Sequence, residues 1–350
     1  MKYRLRFTLD YEIHGNGDGN PWDLMVEPTD RLINLLEKYG QKLIIMADVA
    51  EIISYKRHFQ ETGKDTFHIT EIEAQLKDAV RRGHDVQLHV HSSWFKARWN
   101  GKKWEQCLEE YNIASLPIER IDEMVGDCIK YLTELLIPVK SDYKVWLFRA
   151  ANWSMMPTNN IYQVLSRYGI IADTSVYKGG VQGGNVSYDY REAYHDLLSY
   201  PADRRNINHL APLTQTDIIL EYPIYTEMRP FWAFITPIRL FRIVRAAFHR
   251  QKRNKNTRIG SHSEINKADN KRLGIRSFFR KSPWKLDFNQ ATGRQLISAI
   301  KRIKDKKIDN RDFVDIVLIG HSKSFLHYNE ISLKRFLDWT VNDSSILKSY

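Results

Sequence analysis

The sequence predicts a single α/β domain in which strands and helices alternate, arranged as a (β/α) barrel or as an open doubly wound sheet. Three observations carry this prediction. Seven runs have the length and apolar pattern of strands, amphipathic helices lie between most of them, and polar side chains collect where the runs end. Alternation of this kind is typical of parallel βαβ units.

The elements can be followed in order along the chain. The first strand ends in FTLDYEIHG (7–15), and after a Gly/Asn loop a helix runs from Thr29, its predicted N-cap, to Gly40. The segment 94–116 has three Trp and no clean period, which predicts a long loop. The other predicted strands are 42–48, 84–94, 144–150, 171–176, 217–223 and 313–321. The other predicted helices cover about 70–82, 117–135, 158–168 and 292–304, and a last one holds Leu333, Phe336 and Leu337.

Polar side chains follow these strands at the point where each one ends. Because the carboxyl ends of barrel strands form one rim, and active sites are built there, the set predicts where chemistry takes place. Its members are Asp10, Glu12, His89, His91, Arg149, Asp173, Glu221 and His321.

Two strand ends together predict a metal site. His89 and His91 stand at i and i+2 on the polar face of their strand, and Asp10 and Glu12 have the same spacing on theirs. Two His and a carboxylate, with room left for water, commonly hold a catalytic divalent metal. The alternative is that the two His bind loop backbone. His14, in the loop after Glu12, is a weaker candidate ligand.

The remaining rim residues suggest supporting roles. Arg149 is a plausible partner for the two carboxylates, either functionally or as a plain ion pair. His321, after the buried run IVLIG, suits a general acid. Lys323 and the Ser on either side of it suit an anionic or hydroxyl-rich ligand. Asp173 and Glu221 can equally be structural, and Trp94, Trp99, Trp153 and Tyr177 either present flat surfaces to sugar rings or pack the loops.

Composition excludes several classes of protein. No run of 18 apolar residues exists and no hydrophobic signal region opens the chain, so we expect a cytoplasmic protein. Cys107 and Cys128 make neither a disulfide framework nor a zinc knuckle. The net charge is +11, and much of the excess lies between residues 239 and 282. No recognised nucleic-acid motif accompanies it, so no nucleic-acid partner is predicted.

The basic stretch forms an insertion at about 228–282 in the strand–helix pattern. Within it, residues 228–258 can form an amphipathic helix with a basic face. Such a helix can lie on an anionic membrane, here the inner face of the cell membrane, or can pack against the barrel with its basic face in solvent. The oligomeric state is not predicted.

With these residues identified, the chain from about residue 4 to 325 resembles the polysaccharide deacetylase (NodB homology) superfamily. FTLDYE resembles the first family motif, GHDVQLHVH the second, FRAANW the third, and LIGH (318–321) the last. The HSKSF and PWKLDF stretches resemble the WalW-type subgroup, which is associated with cell-surface polysaccharides. The fold this resemblance implies is a deformed (β/α)7-type barrel over residues 1–350 with long loop insertions.

The resemblance implies a role for each rim residue. Glu12, His89 and His91 would hold the metal, with zinc favoured and cobalt, nickel or manganese as alternatives. Asp10 would be the catalytic base, Arg149 would position it, and His321 would be the general acid. The substrate-contacting set would be Trp94, Trp153, Asp173, Glu221 and Lys323.

The motifs depart from the family pattern in three places. The usual Asp-Asp is Asp10-Tyr-Glu12, the usual His-x-x-x-His is His89-x-His91 with Ser93 at the later position, and Ala151 replaces the Pro of the third motif. The predicted function is a metal-dependent deacetylase of an N-acetylated amino sugar in a cell-surface or lipid-linked saccharide. The alternatives are a glycoside hydrolase that uses paired carboxylates, and a non-catalytic glycan- or membrane-binding homologue.

Overall fold

Seven parallel strands form the centre of the fold in the computed structural model, which describes residues 1–236, 281–308 and 311–348. The seven predicted strands correspond to them. In chain order they are β1 (Lys2–Tyr11), β2 (Leu43–Asp48), β3 (Asp85–Val90), β6 (Leu147–Ala150), β7 (Ala172–Asp173), β12 (Leu220–Glu221) and β15 (Phe313–His321). The shorter strands are β4 (Arg98–Trp99), β5 (Trp104–Glu105), β8 (Val181–Gln182), β9 (Tyr188–Asp189), β10 (Tyr200–Asp203), β11 (Asn206–Leu210), β13 (Thr226–Pro230), β14 (Lys281–Lys285) and β16 (Ile346–Leu347).

The parallel strands are arranged as a curled sheet in the order β12-β7-β6-β3-β2-β1-β15, with the β10–β11 hairpin added antiparallel beyond β12. Isolated parallel bridges join Ile224 to Val317 and Asp287 to Ile319. The segment after β12 therefore reaches the opposite edge strand, β15, and brings the two ends of the sheet together. This arrangement confirms the predicted deformed (β/α) barrel.

Helices cover the outside of the sheet. They are α1 (Glu27–Glu37), α2 (Val49–Thr62), α3 (Ile69–Arg81), α4 (Ile118–Leu136), α5 (Thr158–Arg167), α6 (Gly293–Lys304) and α7 (His327–Val341). The apolar stripe of α4 is buried as its 3.6-residue period requires, from Ile121 through Cys128 to Leu135. Thr292 and Gln295 form a capping box that begins α6. No described helix is both long and apolar enough to cross a bilayer.

The period of two along β1 separates its side chains into two environments. Leu5, Phe7 and Leu9 belong to the large apolar core between sheet and helices. Thr8 and Asp10 alternate with them and contact Arg149 in the barrel interior. A second, small apolar cluster of Met46, Leu147 and Ala172 lies apart from the main core. Strand periodicity thus directs every second residue of β1 toward the polar interior.

Two local predictions were wrong, and one lies outside the described residues. The helix α2, directly after β2, was not predicted. The helix α1 begins at Glu27 with Pro28 in its first turn, so Thr29 is not its N-cap. Of the predicted basic insertion at about 228–282, the structure describes only the hairpin stem β13–β14 and residues 231–236. The predicted amphipathic helix therefore lies outside the described part of the chain from Pro237 onward.

Candidate active site

The C-terminal ends of the seven strands bring the predicted rim residues together. Strand register places them side by side: Asp10 pairs with His321 across β1 and β15, and His89 pairs with Arg149 across β3 and β6. Asp48, at the end of β2, pairs with His89 on the other side. Residues far apart in the chain thus share one layer of the barrel because their strands run parallel and end together.

Three of these side chains form a cluster with the composition of a metal site. One ligand atom each from Glu12, His89 and His91 lies within 4.8 Å of the other two, and all three residues are buried. Glu12 Oε2 is 2.7 Å from His91 Nε2 and 3.8 Å from His89 Nε2. The structure thus brings together the three residues that were predicted as metal ligands.

Hydrogen bonds hold the ring of His89 and the main chain of His91 beside this cluster. His89 Nδ1 lies 2.9 Å from the main-chain oxygen of Arg149, so Nδ1 carries the proton and Nε2 presents a lone pair. That Nε2 atom is buried and has no hydrogen-bond partner among the described residues. The main-chain N–H of His91 donates to Asp48 Oδ1 at 3.1 Å. A ligating His whose other nitrogen is fixed by a carbonyl is the usual outer-shell arrangement around metals.

These donors fit a divalent metal. Two imidazole nitrogens and one carboxylate oxygen suit zinc, and also cobalt, nickel or manganese. Burial raises the pKa of Glu12, but Lys323 and His91 outweigh that effect and hold the pKa well below its ordinary value. Burial lowers the pKa of His91, which favours the neutral imidazole. The shifts of Glu12 and His91 thus favour the protonation states that metal binding needs.

Lys323 lies on the other oxygen of Glu12. Its Nζ is 2.6 Å from Glu12 Oε1 and 3.1 Å from the main-chain oxygen of Ile13. Sequence analysis placed this lysine among the substrate contacts, whereas its ammonium here holds the candidate metal ligand. With Oε1 engaged by Lys323, Glu12 has Oε2 available on the side of the two His.

The candidate base and acid lie beside the cluster. Arg149 Nη1 donates to Asp10 Oδ1 at 2.5 Å, and the guanidinium is fixed further by Thr8 Oγ1 and the main-chain oxygen of Thr174. His321 Nε2 lies 3.5 Å from Asp10 Oδ2. Burial raises the pKa of Asp10, but Arg149 and then His321 outweigh it, so the pKa is lowered. Burial lowers the pKa of His321.

The structure separates the other predicted site residues into three groups. Trp153 is partly exposed at the rim, and its ring centroid is 6.0 Å from that of His321. Trp94 is only 1% exposed and packs against Tyr55 and Trp104, so the structure favours a packing role over a sugar contact. Asp173 and Glu221 are fully buried.

Asp173 and Glu221 support the loops behind the rim. Asp173 accepts hydrogen bonds from the main-chain N–H and the hydroxyl of Ser175, and Glu221 accepts one from the N–H of Val176. Burial, followed by the nearby Asp173, raises the pKa of Glu221 well above its ordinary value. Because neither carboxyl is exposed, a sugar bound at the rim would not contact them in this conformation.

Sequence analysis missed two acids of the site, Asp48 and Glu51. Asp48 ends the apolar run KLIIMAD, which is the same signal that identified the other rim residues. Glu51 lies on the unpredicted helix α2 and accepts hydrogen bonds from the N–H of Ile13 and the hydroxyl of Tyr55. Burial raises the pKa of Asp48 well above its ordinary value and that of Glu51 to about 8.

Two of the three motif departures have local explanations, whereas nothing in the structure explains Ala151. The Tyr11 hydroxyl donates to Gln75 on α3 at 2.7 Å, so the residue between the two acids of Asp10-Tyr-Glu12 points away from the site. The Ser93 hydroxyl donates to Gln106, at 2.8 Å. Ser93 therefore takes part in a loop contact, and the i, i+2 pair His89 and His91 supplies both imidazoles.

Comparison with known proteins identifies the fold. No family model matches the chain, and no curated protein matches it either. A solved structure of a protein assigned as a polysaccharide deacetylase from Mycobacterium smegmatis matches with a TM-score of 0.52 and 12% identity, over 99% of this chain and 87% of that one. The GH57-type branching enzyme of Pyrococcus horikoshii matches with a TM-score of 0.50 and 11% identity, over 99% and 69% of the two chains. The chain therefore has the (β/α) barrel fold found in both of these proteins.

Proposed function

We propose that this protein is a metal-dependent deacetylase of the polysaccharide deacetylase superfamily, related to its WalW-type subgroup, and that it removes the N-acetyl group from an amino sugar. The observation that carries the proposal is the buried cluster of Glu12, His89 and His91 beside the Asp10–Arg149 pair. The fold alone does not choose between a deacetylase and a glycoside-active enzyme, since one barrel hosts both. The choice between these two activities therefore depends on the residues at the rim.

Each residue then has a definite task. Glu12, His89 and His91 would hold a divalent ion, zinc being favoured, which supplies acidity to water and polarises a carbonyl. Asp10 takes the proton of the attacking water, and Arg149 keeps the Asp10 carboxylate ionised and correctly oriented. His321 delivers a proton to the departing amine nitrogen, which leaves readily only when protonated. Its lowered pKa makes its protonated form a stronger acid.

The competing glycoside hydrolase mechanism fits less well. That mechanism needs one carboxyl that stays protonated to give its proton to the leaving oxygen. Cations lower the pKa of both Asp10 and Glu12, so neither suits that task. Glu221 has a raised pKa but is fully buried. The two imidazoles beside Glu12 also have no role in a mechanism based on carboxylates alone.

Metal content tests the proposal. We expect near-stoichiometric zinc or a related metal in the purified protein by ICP-MS and its loss in a His89→Ala/His91→Ala variant. His327→Ala, on an exposed side chain, is the matched control and should retain the metal. Absence of metal from the wild type, even after incubation with zinc or cobalt, would overturn the mechanism.

Acetate release tests the reaction itself. Asp10→Asn should keep the metal and lose at least about 100-fold in turnover of N-acetylated sugars, because the base is removed. Cleavage of the glycosidic bond that releases no acetate and survives chelation would favour the glycosidase alternative. An Asp10→Asn variant that behaves like the wild type in the cell would favour a non-catalytic role.

We further propose peripheral contact with an anionic membrane at its cytoplasmic face. Between residues 237 and 280 there are thirteen Lys and Arg against two Asp and Glu, an excess equal to the +11 net charge of the whole chain. Phe231, Trp232 and Ile235, just before this stretch, are each about half exposed, at 49%, 56% and 52%. Basic charge beside aromatic side chains favours an anionic lipid surface.

Vesicle flotation tests the membrane contact. The protein should float with vesicles rich in phosphatidylglycerol, remain in the dense fraction with phosphatidylcholine, and lose flotation when Arg239, Arg242 and Arg245 are replaced by Gln. If the protein remains in the dense fraction with both vesicle types, this part of the proposal is overturned and the deacetylase proposal stands.

A further inference from the structure

A cavity occupies the N-terminal half of the barrel, at the end opposite the candidate active site. Its volume is about 310 Å³, and all seven parallel strands contribute lining residues, either from the strand itself or from the position next to it. In a small barrel the interior is normally filled by layers of side chains. Pockets that hold small molecules begin at about this volume. The cavity therefore has the size of a ligand site.

One part of the cavity lining is apolar and flat. Ile44, Trp146 and Tyr222 lie there and pack against the small apolar cluster that contains Leu147. The Trp146 indole N–H donates to Asp85 Oδ2 at 3.0 Å, which fixes the plane of the indole ring. All three side chains are only partly buried, so part of their surface remains accessible in the cavity. A flat apolar lining of this kind suits the body of a planar ligand.

The rest of the lining carries an excess of positive charge. Three cationic side chains, Arg4, Arg6 and Lys42, stand against two acids, Asp85 and Asp315. Arg4 donates two hydrogen bonds to Asp315, at 2.9 and 2.6 Å, and Arg6 adds a third from Nε at 2.7 Å. The described residues offer no further acceptor to the Arg6 guanidinium. Its remaining donors are thus available to a ligand.

Two of these cations lie side by side. Phe7 of β1 pairs in register with Leu43 of β2, so Arg6 and Lys42, one residue earlier on each strand, are neighbours that both line the cavity. Lys42 Nζ donates to the main-chain oxygen of Arg82 at 2.7 Å and forms no ion pair with a described acid. Like charges on neighbouring strands repel each other. An anion between Arg6 and Lys42 would therefore stabilise both.

The inner end of the cavity lies directly beneath Arg149. Thr8 and Thr174 line the cavity at this end, and both hold the guanidinium. Arg149 Nη2 donates to Thr8 Oγ1 at 2.8 Å, and Nε donates to the main-chain oxygen of Thr174 at 2.9 Å. Arg149 Nη1 in turn donates to Asp10. A ligand in the cavity is therefore separated from the candidate base by one layer of side chains, and it would occupy a second site.

We propose that this cavity binds a small organic anion with a flat apolar body. Its carboxylate or phosphate group lies between Arg6 and Lys42, and its body lies against Trp146 and Tyr222. The proposal is independent of the deacetylase function, because it uses no residue of the metal cluster.

Calorimetric titration of the full chain, treated with chelator so that no metal competes for the anion, tests the proposal. The probes are 2-naphthoate, 2-naphthyl phosphate, the neutral 2-naphthalenemethanol and inorganic phosphate. We expect one site with a Kd below about 1 mM for at least one of the two aromatic anions, and the pair shows whether carboxylate or phosphate is preferred. The alcohol and inorganic phosphate should each bind at least about tenfold more weakly, because each lacks one of the two recognised parts.

Three variants locate the site. Lys42→Gln should weaken binding of the aromatic anion about tenfold. Lys38→Gln removes the same charge from an exposed side chain four residues earlier and should leave the affinity unchanged. Ile44→Phe keeps the charges but fills part of the cavity, and it should weaken binding of the anion at least as much as Lys42→Gln does. Thermal unfolding checks that each variant folds.

The outcomes decide the proposal without reference to acetate release. A Kd above 1 mM for both aromatic anions, equal affinity for the anion and the alcohol, or binding that survives both Lys42→Gln and Ile44→Phe would overturn it. Binding should persist in the His89→Ala/His91→Ala variant. Its loss there would place the anion at the other end of the barrel and would equally overturn the proposal.

Discussion

The two ends of the barrel shift the pKa of a glutamate in opposite directions. At the N-terminal end of the strands, Arg82 donates to Glu37 at 2.5 Å and His84 Nε2 lies 3.0 Å from it. These hydrogen bonds, that of Arg82 first, lower the pKa of Glu37 to about 2. At the C-terminal end, burial raises the pKa of Glu51 to about 8.

The difference follows from how many cations each end supplies. Asp315, near the N-terminal end, forms ion pairs with both Arg4 and Arg6, and the two arginine side chains are partly exposed. Around the candidate metal cluster, the C-terminal end instead buries four carboxylates and two cationic side chains. The carboxylates are Asp10, Glu12, Asp48 and Glu51, and the cations are Arg149 and Lys323. Two negative charges are left to be balanced by protons or by a divalent ion, which is the electrostatic reason to expect a metal there.

The largest predicted effect is the contrast between two Arg→Met substitutions. Arg149→Met leaves Asp10 buried without its cation, which should lower the free energy of unfolding by about 3–5 kcal/mol and turnover by at least about 100-fold. Arg4→Met removes an equally short pair, 2.6 Å long, from a 30% exposed side chain, and Arg6 still contacts Asp315. That change should cost less than about 1 kcal/mol.

Urea unfolding and acetate release on both variants measure the contrast. Circular dichroism establishes whether Arg149→Met still folds. Arg149→Lys, which keeps the charge but loses the forked donors of the guanidinium, provides a milder second variant. Equal losses of stability in Arg149→Met and Arg4→Met would show that burial does not distinguish the two ends.

A medium effect is predicted for Glu51→Gln in chelator-treated protein. The folded pKa of Glu51, about 8, lies above the value of 4.5 expected for the unfolded chain, so between these pH values the folded state holds the extra proton. Stability should therefore fall as pH rises from about 4.5 to 8, by up to about 1.4 kcal/mol per pH unit. Glu51→Gln should flatten this slope and be more stable than the wild type near pH 8.

Thermal unfolding from pH 5 to 8 tests this slope. Glu61→Gln, at the exposed end of the same helix, should leave it intact. Added zinc should reduce the slope in the wild type by supplying the missing positive charge. An unchanged slope in Glu51→Gln would show that Glu51 is not the residue that takes up the proton.

Sequence periodicity was sufficient to predict most of the regular strands and helices. Strands such as 42–48 and 313–321 and the stripe of α4 were predicted because a buried face leaves a regular mark in the sequence. Helix α2 was missed because it follows β2 without a Gly or Pro to mark a boundary, and its Glu51 was missed with it. Because the parallel strands of a barrel end at one rim, the sequence also predicted that four residues at strand ends lie close together, namely Asp10, His89, Arg149 and His321.

Contacts that depend on side-chain reach could not be predicted in the same way. Lys323 follows His321 by two residues, and no pattern indicates that its ammonium turns back to Glu12. The burial of Trp94 and of Glu221 depends on how loops from distant parts of the chain cover these side chains. Lys285 meets Trp153 only because the β13–β14 hairpin lies along the rim, a placement set by tertiary contacts.

The smallest predicted effect is acid sensitivity at the N-terminal end. The pKa of Glu37 is lowered on folding, so its contribution is complete above about pH 4.5 and is lost as pH falls toward about 2. Because its side chain is 29% exposed and salt screens the pair, the contribution should be at most about 1 kcal/mol. Glu37→Gln should therefore lower stability slightly at pH 6 and converge with the wild type near pH 2.5, as measured by urea unfolding at low and high salt. If the gap persisted at pH 2.5, the loss would come from packing rather than charge, and the opposition between Glu37 and Glu51 would rest on the C-terminal end alone.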